Sequence, residues 1–198
     1  MGLEFDPSPG QTPLNDEDIK GLLIPSVSTQ GALNELEQKN IEKAILWSLG
    51  RRFDSNKIFS EKFIKQLHLK MFGDVWKWAG EFRKTNTNIG VNYPLVSLQL
   101  RMLVDDARFW LKHQIYEPDE FTLCFKHRLV AIHCFPNGNG RHSRLVADII
   151  ITNIFGKPEF TWGSANIIQQ GEARKLYIKA LQAADQHDMS PLLAFARL

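Results

Sequence analysis

The chain has 198 residues, a net charge of +2, 43% hydrophobic residues and five tryptophans, which suits one domain, or one domain with a small appendage, around an ample core. That balance excludes a general affinity for nucleic acid or membrane surfaces, so any basic character should be local. No stretch is apolar enough to span a bilayer, and the start Met1-Gly-Leu-Glu-Phe-Asp6 lacks the features of a signal peptide or a myristoylation site, so a cytoplasmic location is expected.

In chain order, Pro7, Pro9, Gly10 and Pro13 predict an extended arm over residues 1–15, followed by a short polar segment that ends near Leu22-Leu-Ile-Pro25. Ser28 or Thr29 is placed to cap a helix over about 33–50, with Leu33, Leu36, Ile41, Ala44, Ile45 and Leu49 at helical spacing. A second helix is expected from Ser60 to Trp78, stopped by Ala79-Gly80. Residues 85–92 alternate β-branched residues with Asn and Gly, which predicts a short hairpin. Helical period returns from Pro94, then over about 118–132, 141–154 and 170–184, with a short helix after Pro191. The expected class is mostly α with one small β element. Cys124 and Cys134 match neither a zinc knuckle nor a redox pair and are expected as buried free thiols.

The run His133-Cys-Phe-Pro-Asn-Gly-Asn-Gly-Arg-His-Ser-Arg144 carries the chemistry. A glycine-rich turn opening a helix exposes backbone N–H groups where the helix dipole favours negative charge. Arg141 and Arg144, one and four positions into that helix, suit phosphate oxygens. An imidazole just before the turn can take a proton from an incoming hydroxyl. Together these residues read as a site for moving part of a nucleotide.

The pattern His-x-Phe-x-(Asp/Glu)-Gly-Asn-Gly-Arg-x-x-Arg marks the Fic family, and His133, Phe135, Gly138, Asn139, Gly140, Arg141 and Arg144 match it. The chain therefore resembles that family, whose enzymes typically move AMP from ATP onto a protein hydroxyl. From Trp76-Lys-Trp-Ala-Gly-Glu-Phe-Arg83 through the motif, it resembles the branch called mobile mystery protein B. The resemblance implies a helical bundle with a small β-hairpin flap, a Fic domain over 33–198 that includes an inhibitory helix at about 33–49, and residues 1–32 as an arm and short helical segment.

It also implies roles. His133 would be the general base and Phe135 a core anchor. The amides of Gly138, Asn139 and Gly140 would form an anion hole. Arg141 and Arg144 would hold the β- and γ-phosphates. The flap, Thr87, Asn88, Ile89, Gly90 and Val91, would align an extended target segment by strand addition. Mg²⁺ would come with ATP, held at the motif's acidic position, which is Asn137 here. A neutral amide oxygen is a weak ligand for a cation that prefers charged oxygens. Slower AMP transfer, a changed metal or nucleotide preference, and nucleotide binding without turnover all stay open.

In the family, a glutamate in a (Ser/Thr)-x-x-x-Glu-(Gly/Asn) helix blocks the site by pairing with the second motif arginine. This chain has no clean copy. Helical phase puts Glu35 on a polar face and Glu37 beside Leu33, Asn40, Ile41 and Ala44. A carboxylate on an apolar face needs a partner, which is either Arg144, as the resemblance implies, or a group in a local structural role. Tyr177 reads either as a base-pocket wall or as a helix-core aromatic. His127 reads as packing, His142 receives no role, and His68, His113 and His187 show no metal-ligand spacing. The expected partners are ATP and a target protein, without nucleic acid or membrane; a homo-oligomer is compatible with the sequence. The alternatives are transfer of another nucleotide such as UMP, and a non-catalytic nucleotide-binding or toxin-like module. Phosphoryl transfer as in the related Doc group fits less well, because that group has Lys where this chain has Gly140.

Overall fold

A computed structural model describes residues 16–27, 29–163 and 170–198; the arm expected over 1–15 lies outside them. Helix α1 (Asp16–Ile19) is a single turn. Thr29 caps α2 (Gln30–Leu49), its hydroxyl accepting from the Ala32 N–H at 3.2 Å. Asp54 and Ser60 do the same for α3 (Ser55–Ile58) and α4 (Glu61–Phe72). Helix α4 stops at Gly73, short of the expected Trp78. The chain turns there so that Trp76 can pack inward and bridge to Leu22, with Leu23 N–H donating to Val75 O and Lys77 N–H to Gly21 O.

A 3₁₀ turn (Tyr93–Leu95) leads into α5 (Val96–His113), which Gln114 ends in a left-handed conformation. Pro118 at the first turn, with Asp119 and Glu120, starts α6 (Pro118–Ile132) as proline and acidic residues should at a helix N-terminus. Helices α7 (Asn139–Asn153), α8 (Gln170–Asp185) and α9 (Ser190–Arg197) complete the described chain.

Helix α7 is the hub. It packs along α6 and against α4, while α2 covers α4 and α5 flanks α6. The main core gathers Phe59, Phe63, Leu67, Phe72, Phe125 and Phe135 between these helices, and a smaller cluster around Leu123, Ile151, Leu192 and Phe195 lies under α8 and α9. Cys124 and Cys134 are free thiols, the latter buried.

The expected β-hairpin does not form: residues 85–92 hold no strand, and the β pairing among the described residues is the Leu22–Trp76 bridge. The reason is the Arg83 side chain. Its guanidinium takes the carbonyls of Thr85 and Val91, at the two ends of the segment, which a hairpin would have to pair across strands. Asn86 closes the loop by accepting from the Tyr93 N–H at 2.9 Å.

Candidate active site

The motif spans the end of α6 and the start of α7. His133 caps α6 at φ 57° and ψ 62°, and Gly138 opens α7 at φ 78°. The second value requires glycine: a Cβ on Gly138 would sit 2.5 Å from Phe72 Cζ. The Asn139 side chain closes the loop, accepting from Phe135 N–H at 3.0 Å and donating to Phe135 O at 2.8 Å. Phe135 is fully buried and stacks on His68 at 3.7 Å.

His68 was not legible as a site residue, yet it fastens the loop. Its Nδ1 accepts from Gly80 N–H at 3.0 Å, which leaves Nε2 to donate to Asn137 O at 3.1 Å. A clue lay in the Ala79-Gly80 break, whose exposed amide needs an acceptor. His142 is buried and its Nε2 contacts Ile64 O at 3.0 Å, a packing role.

At the start of α7 the N–H groups of Asn139, Gly140 and Arg141 have no intrahelical acceptor by helix geometry, and they form the anion-binding end. A Cβ on Gly140 would meet nothing within 4 Å, so space is open beside this first turn. The Gly138 N–H is spent differently, donating to Asn137 Oδ1 at 2.6 Å. That contact bears on the metal. The side-chain oxygen at the motif's acidic position is neutral and already accepts from Gly138, and no group of three His, Cys, Asp or Glu suited to a metal occurs among the described residues. These donors do not fit a protein-held Mg²⁺.

Glu37 pairs with Arg141, not with Arg144 as the resemblance implies. Its Oε2 lies 2.6 Å from Arg141 Nη1, and its Oε1 accepts from Trp76 Nε1 at 2.7 Å. The reason is helical phase. Three residues along α7 turn the side chain by about 300°, so Arg141 stands over Phe72 beside α2 while Arg144 stands over Tyr177 of α8. Among the described residues no carboxylate lies within ion-pair distance of Arg144. Tyr177 is half-buried, between Arg144 and the fully buried Lys126, whose Nζ contacts its hydroxyl. His127 pairs with Asp185 at 2.8 Å and joins α6 to α8.

His133 is 5% exposed. Burial, reinforced by the Arg83 charge and opposed by a hydrogen bond to Val130, pushes its imidazolium down to about 4, so the ring is neutral and able to accept a proton near pH 7. Two of the expected flap residues, Gly90 and Val91, lie beside it. The backbone of Gly90 approaches the His133 side chain, Val91 N–H donates to Ile132 O at 3.4 Å, and Thr87 Oγ1 to Ile89 O at 2.6 Å. Asn88 and Ile89 are exposed.

Three buried histidines set an acid limit on the fold. Burial lowers His133 and His142 to about 4 and His68 well below 6.5. Each takes up a proton on unfolding below its ordinary value, so stability is present above pH 6.5 and lost as pH falls toward 4. Asp148, raised to about 7 by burial, acts in the opposite sense and offsets one of them. We expect urea unfolding at pH 7, 6 and 5 to show stability falling with acid by roughly 1.4 kcal/mol per pH unit for each net proton. Constant stability across that range would contradict the burial of these rings.

Comparison with known proteins follows the same segment. Residues 58–151 match the family model described as the Fic/DOC family. Relatives named "Protein adenylyltransferase Fic" include one from Aedes aegypti, 27% identical over 146 residues, and one from Drosophila melanogaster, 28% identical over 138 residues. These alignments cover 72% and 68% of this chain but only 28% and 26% of the relatives, so the chain spans about a quarter of their length. Among solved structures, C. elegans Fic-1 (residues 134–508) superposes with a TM-score of 0.65 at 24% identity, covering 90% of this chain and 50% of that one. The BepC effector of Bartonella tribocorum, solved with AMPPNP bound, gives 0.68 at 17% identity, covering 87% and 88%. These likenesses establish the fold, and none of them separates the mobile mystery protein B branch from the rest of the family. The motif loop and the α6–α7 pair both lie in the segment, residues 58–151, that matches the Fic/DOC family.

Proposed function

We propose that this domain transfers AMP from ATP to a Ser, Thr or Tyr hydroxyl of a target protein. The observation that carries the reading is the loop 134–138, which sets a neutral, buried imidazole at one end and the anion-binding start of α7 at the other. His133 takes the proton of the target hydroxyl, whose oxygen attacks the α-phosphorus. A new P–O bond forms, the bond from the α-phosphorus to the bridging oxygen breaks, and pyrophosphate leaves with that electron pair. The amides of Asn139 and Gly140 meet the charge that develops on the phosphoryl oxygens; donors of this kind are each worth about 3 kcal/mol of barrier. Arg141 and Arg144 hold the β- and γ-phosphates, so catalysis rests on positioning and charge. Thr87, Asn88, Ile89, Gly90 and Val91 guide the target segment past His133. The names of the relatives support the reading, as does a neighbour of the same fold that holds AMPPNP. ATP and a protein target are its partners and the cytoplasm its place.

Glu37 regulates this site. It holds Arg141 in an ion pair that a phosphate must displace, and Trp76 holds Glu37 in turn.

A second reading, a nucleotide-binding module without turnover, is favoured by Asn137, which offers a cation no charged oxygen. The test is incubation with ATP labelled at the α-phosphate, with and without Mg²⁺, for the native chain and Asn137→Asp. Label on protein supports transfer. We expect Asn137→Asp to label faster and to reach its maximum at lower Mg²⁺. ATP binding without label in either protein supports the module, and an unchanged Mg²⁺ response in Asn137→Asp contradicts the role given to Asn137.

A further inference from the structure

Arg83 ends the Trp76–Arg83 segment and has no role in the transfer chemistry described above. It is 3% exposed, and among the described residues no carboxylate lies within ion-pair distance of it. Backbone carbonyls surround its guanidinium instead. Nε donates to His133 O at 2.6 Å, Nη1 to Thr85 O at 2.9 Å, and Nη2 to Val91 O and, at 3.5 Å, to Ile132 O. Its own N–H donates to Cys134 O at 3.0 Å.

These acceptors belong to two groups. Ile132 and His133 end α6, where the last carbonyls of a helix lack intrahelical donors and favour a cation. Thr85 and Val91 bracket the loop expected to guide the target. A planar fork with five N–H donors can serve both groups at once, whereas an ammonium on a flexible stem cannot.

Gly90 supplies a second, independent link. At φ 103° its backbone lies so close to the base that an added Cβ would stand 2.5 Å from His133 Cβ. His133 itself is a non-glycine residue in the left-handed region, a conformation that costs of order 1 kcal/mol or more and persists only when its surroundings hold it. The Arg83 bond to the His133 carbonyl fixes the peptide plane that follows that strained residue.

We propose that Arg83 is a positioning residue that locks the 85–91 loop to the general base, so that the target segment and the His133 imidazole keep one fixed relation. The inference rests on the transfer reading for its kinetic consequence, but not for its structural one. Arg83 touches neither the start of α7 nor Arg141 or Arg144, so its loss separates base placement from nucleotide binding.

The experiment compares the native full chain with Arg83→Lys and Gly90→Ala. Three quantities are read: ATP affinity by calorimetry, the rate of labelling from α-labelled ATP, and the titration of the His133 imidazole by NMR. Arg83→Lys keeps the charge but loses the fork; Gly90→Ala keeps Arg83 and pushes the loop off the base. We expect ATP affinity to stay within about twofold in both, while labelling falls about 10- to 100-fold, the scale of a base misplaced by about 1 Å. In both variants the His133 titration should move up from its native value, because lifting the loop hydrates the ring.

An unchanged His133 titration in both variants overturns the proposal, as does a labelling loss matched by an equal loss of ATP affinity. If the native chain labels nothing, the transfer reading fails, and the His133 titration still decides whether Arg83 and Gly90 hold the base. Should Arg83→Lys fail to fold, Gly90→Ala still tests the link between loop and base, and an unmoved His133 titration in that variant overturns it.

Discussion

Replacing His133 with Ala should lower labelling from α-labelled ATP by about 10²- to 10⁴-fold, the usual contribution of a positioned general base. ATP affinity should not fall, because the phosphates are held by the start of α7, Arg141 and Arg144. An ordinary exposed histidine is partly protonated near neutral pH, whereas burial keeps His133 neutral down to about 4, so nearly every molecule carries a competent base at pH 7. The other two buried imidazoles around the motif loop, His68 and His142, are committed to Asn137 O and Ile64 O. Single-turnover labelling at pH 7 with saturating ATP isolates the step. A His133→Ala protein that labels at more than a tenth of the native rate would remove His133 from the mechanism. Loss of ATP binding in that variant would instead assign the ring to nucleotide recognition.

Glu37→Gly should tighten ATP binding and raise labelling by roughly 10- to 100-fold, the equivalent of the 1.5–3 kcal/mol that a hydrogen bond to a charged group contributes. The carboxylate is almost fully buried and the Arg141 side chain about one-third exposed, so solvent screens the pair only in part. A triphosphate must take Arg141 from Glu37 before it can use that arginine, and the difference between the two partners sets the apparent affinity. Glycine within α2 costs about 1 kcal/mol of helix stability and leaves the Trp76 N–H without its acceptor. Glu37→Gln separates these effects, since its amide oxygen can still accept from Trp76 while the charge is gone. Both variants should gain affinity, and Glu37→Gln should lose less stability to urea. Equal ATP affinity in the native chain and both variants would mean that the pair is a structural tie between α2 and α7 with no inhibitory part.

Helical phase explains why Glu37 was visible in the sequence and its partner was not. The neighbours Leu33, Ile41 and Ala44 place residue 37 toward the core whatever α2 packs against. The choice between Arg141 and Arg144 depends on which flank of α7 faces α2, and only packing decides it. The segment 85–92 failed for a related reason. Alternating β-branched residues describe a strand if the backbone groups look for each other, but here Arg83 reaches them first. Nothing local to 85–92 announces a guanidinium inserted between its ends. His68 shows the same limit from the other side, since its two bonds join residues 12 and 69 positions away.

The sequence by itself determined most of the long helices, though not the short α3 or the end of α4, and the chemistry of the motif loop. Periodicity, caps and prolines act within a turn or two, and a base, a glycine turn and two arginines within twelve positions need no distant partner to be recognised. Tertiary structure decided everything that depends on a contact across the chain: that Glu37 meets Arg141, that His68 fastens the loop, that Arg83 binds the 85–91 loop to the base, and that His133 is buried enough to stay neutral. Each of these is set by desolvation and hydrogen bonding between residues far apart in sequence, which become neighbours only when α2, α4 and α6 close around α7.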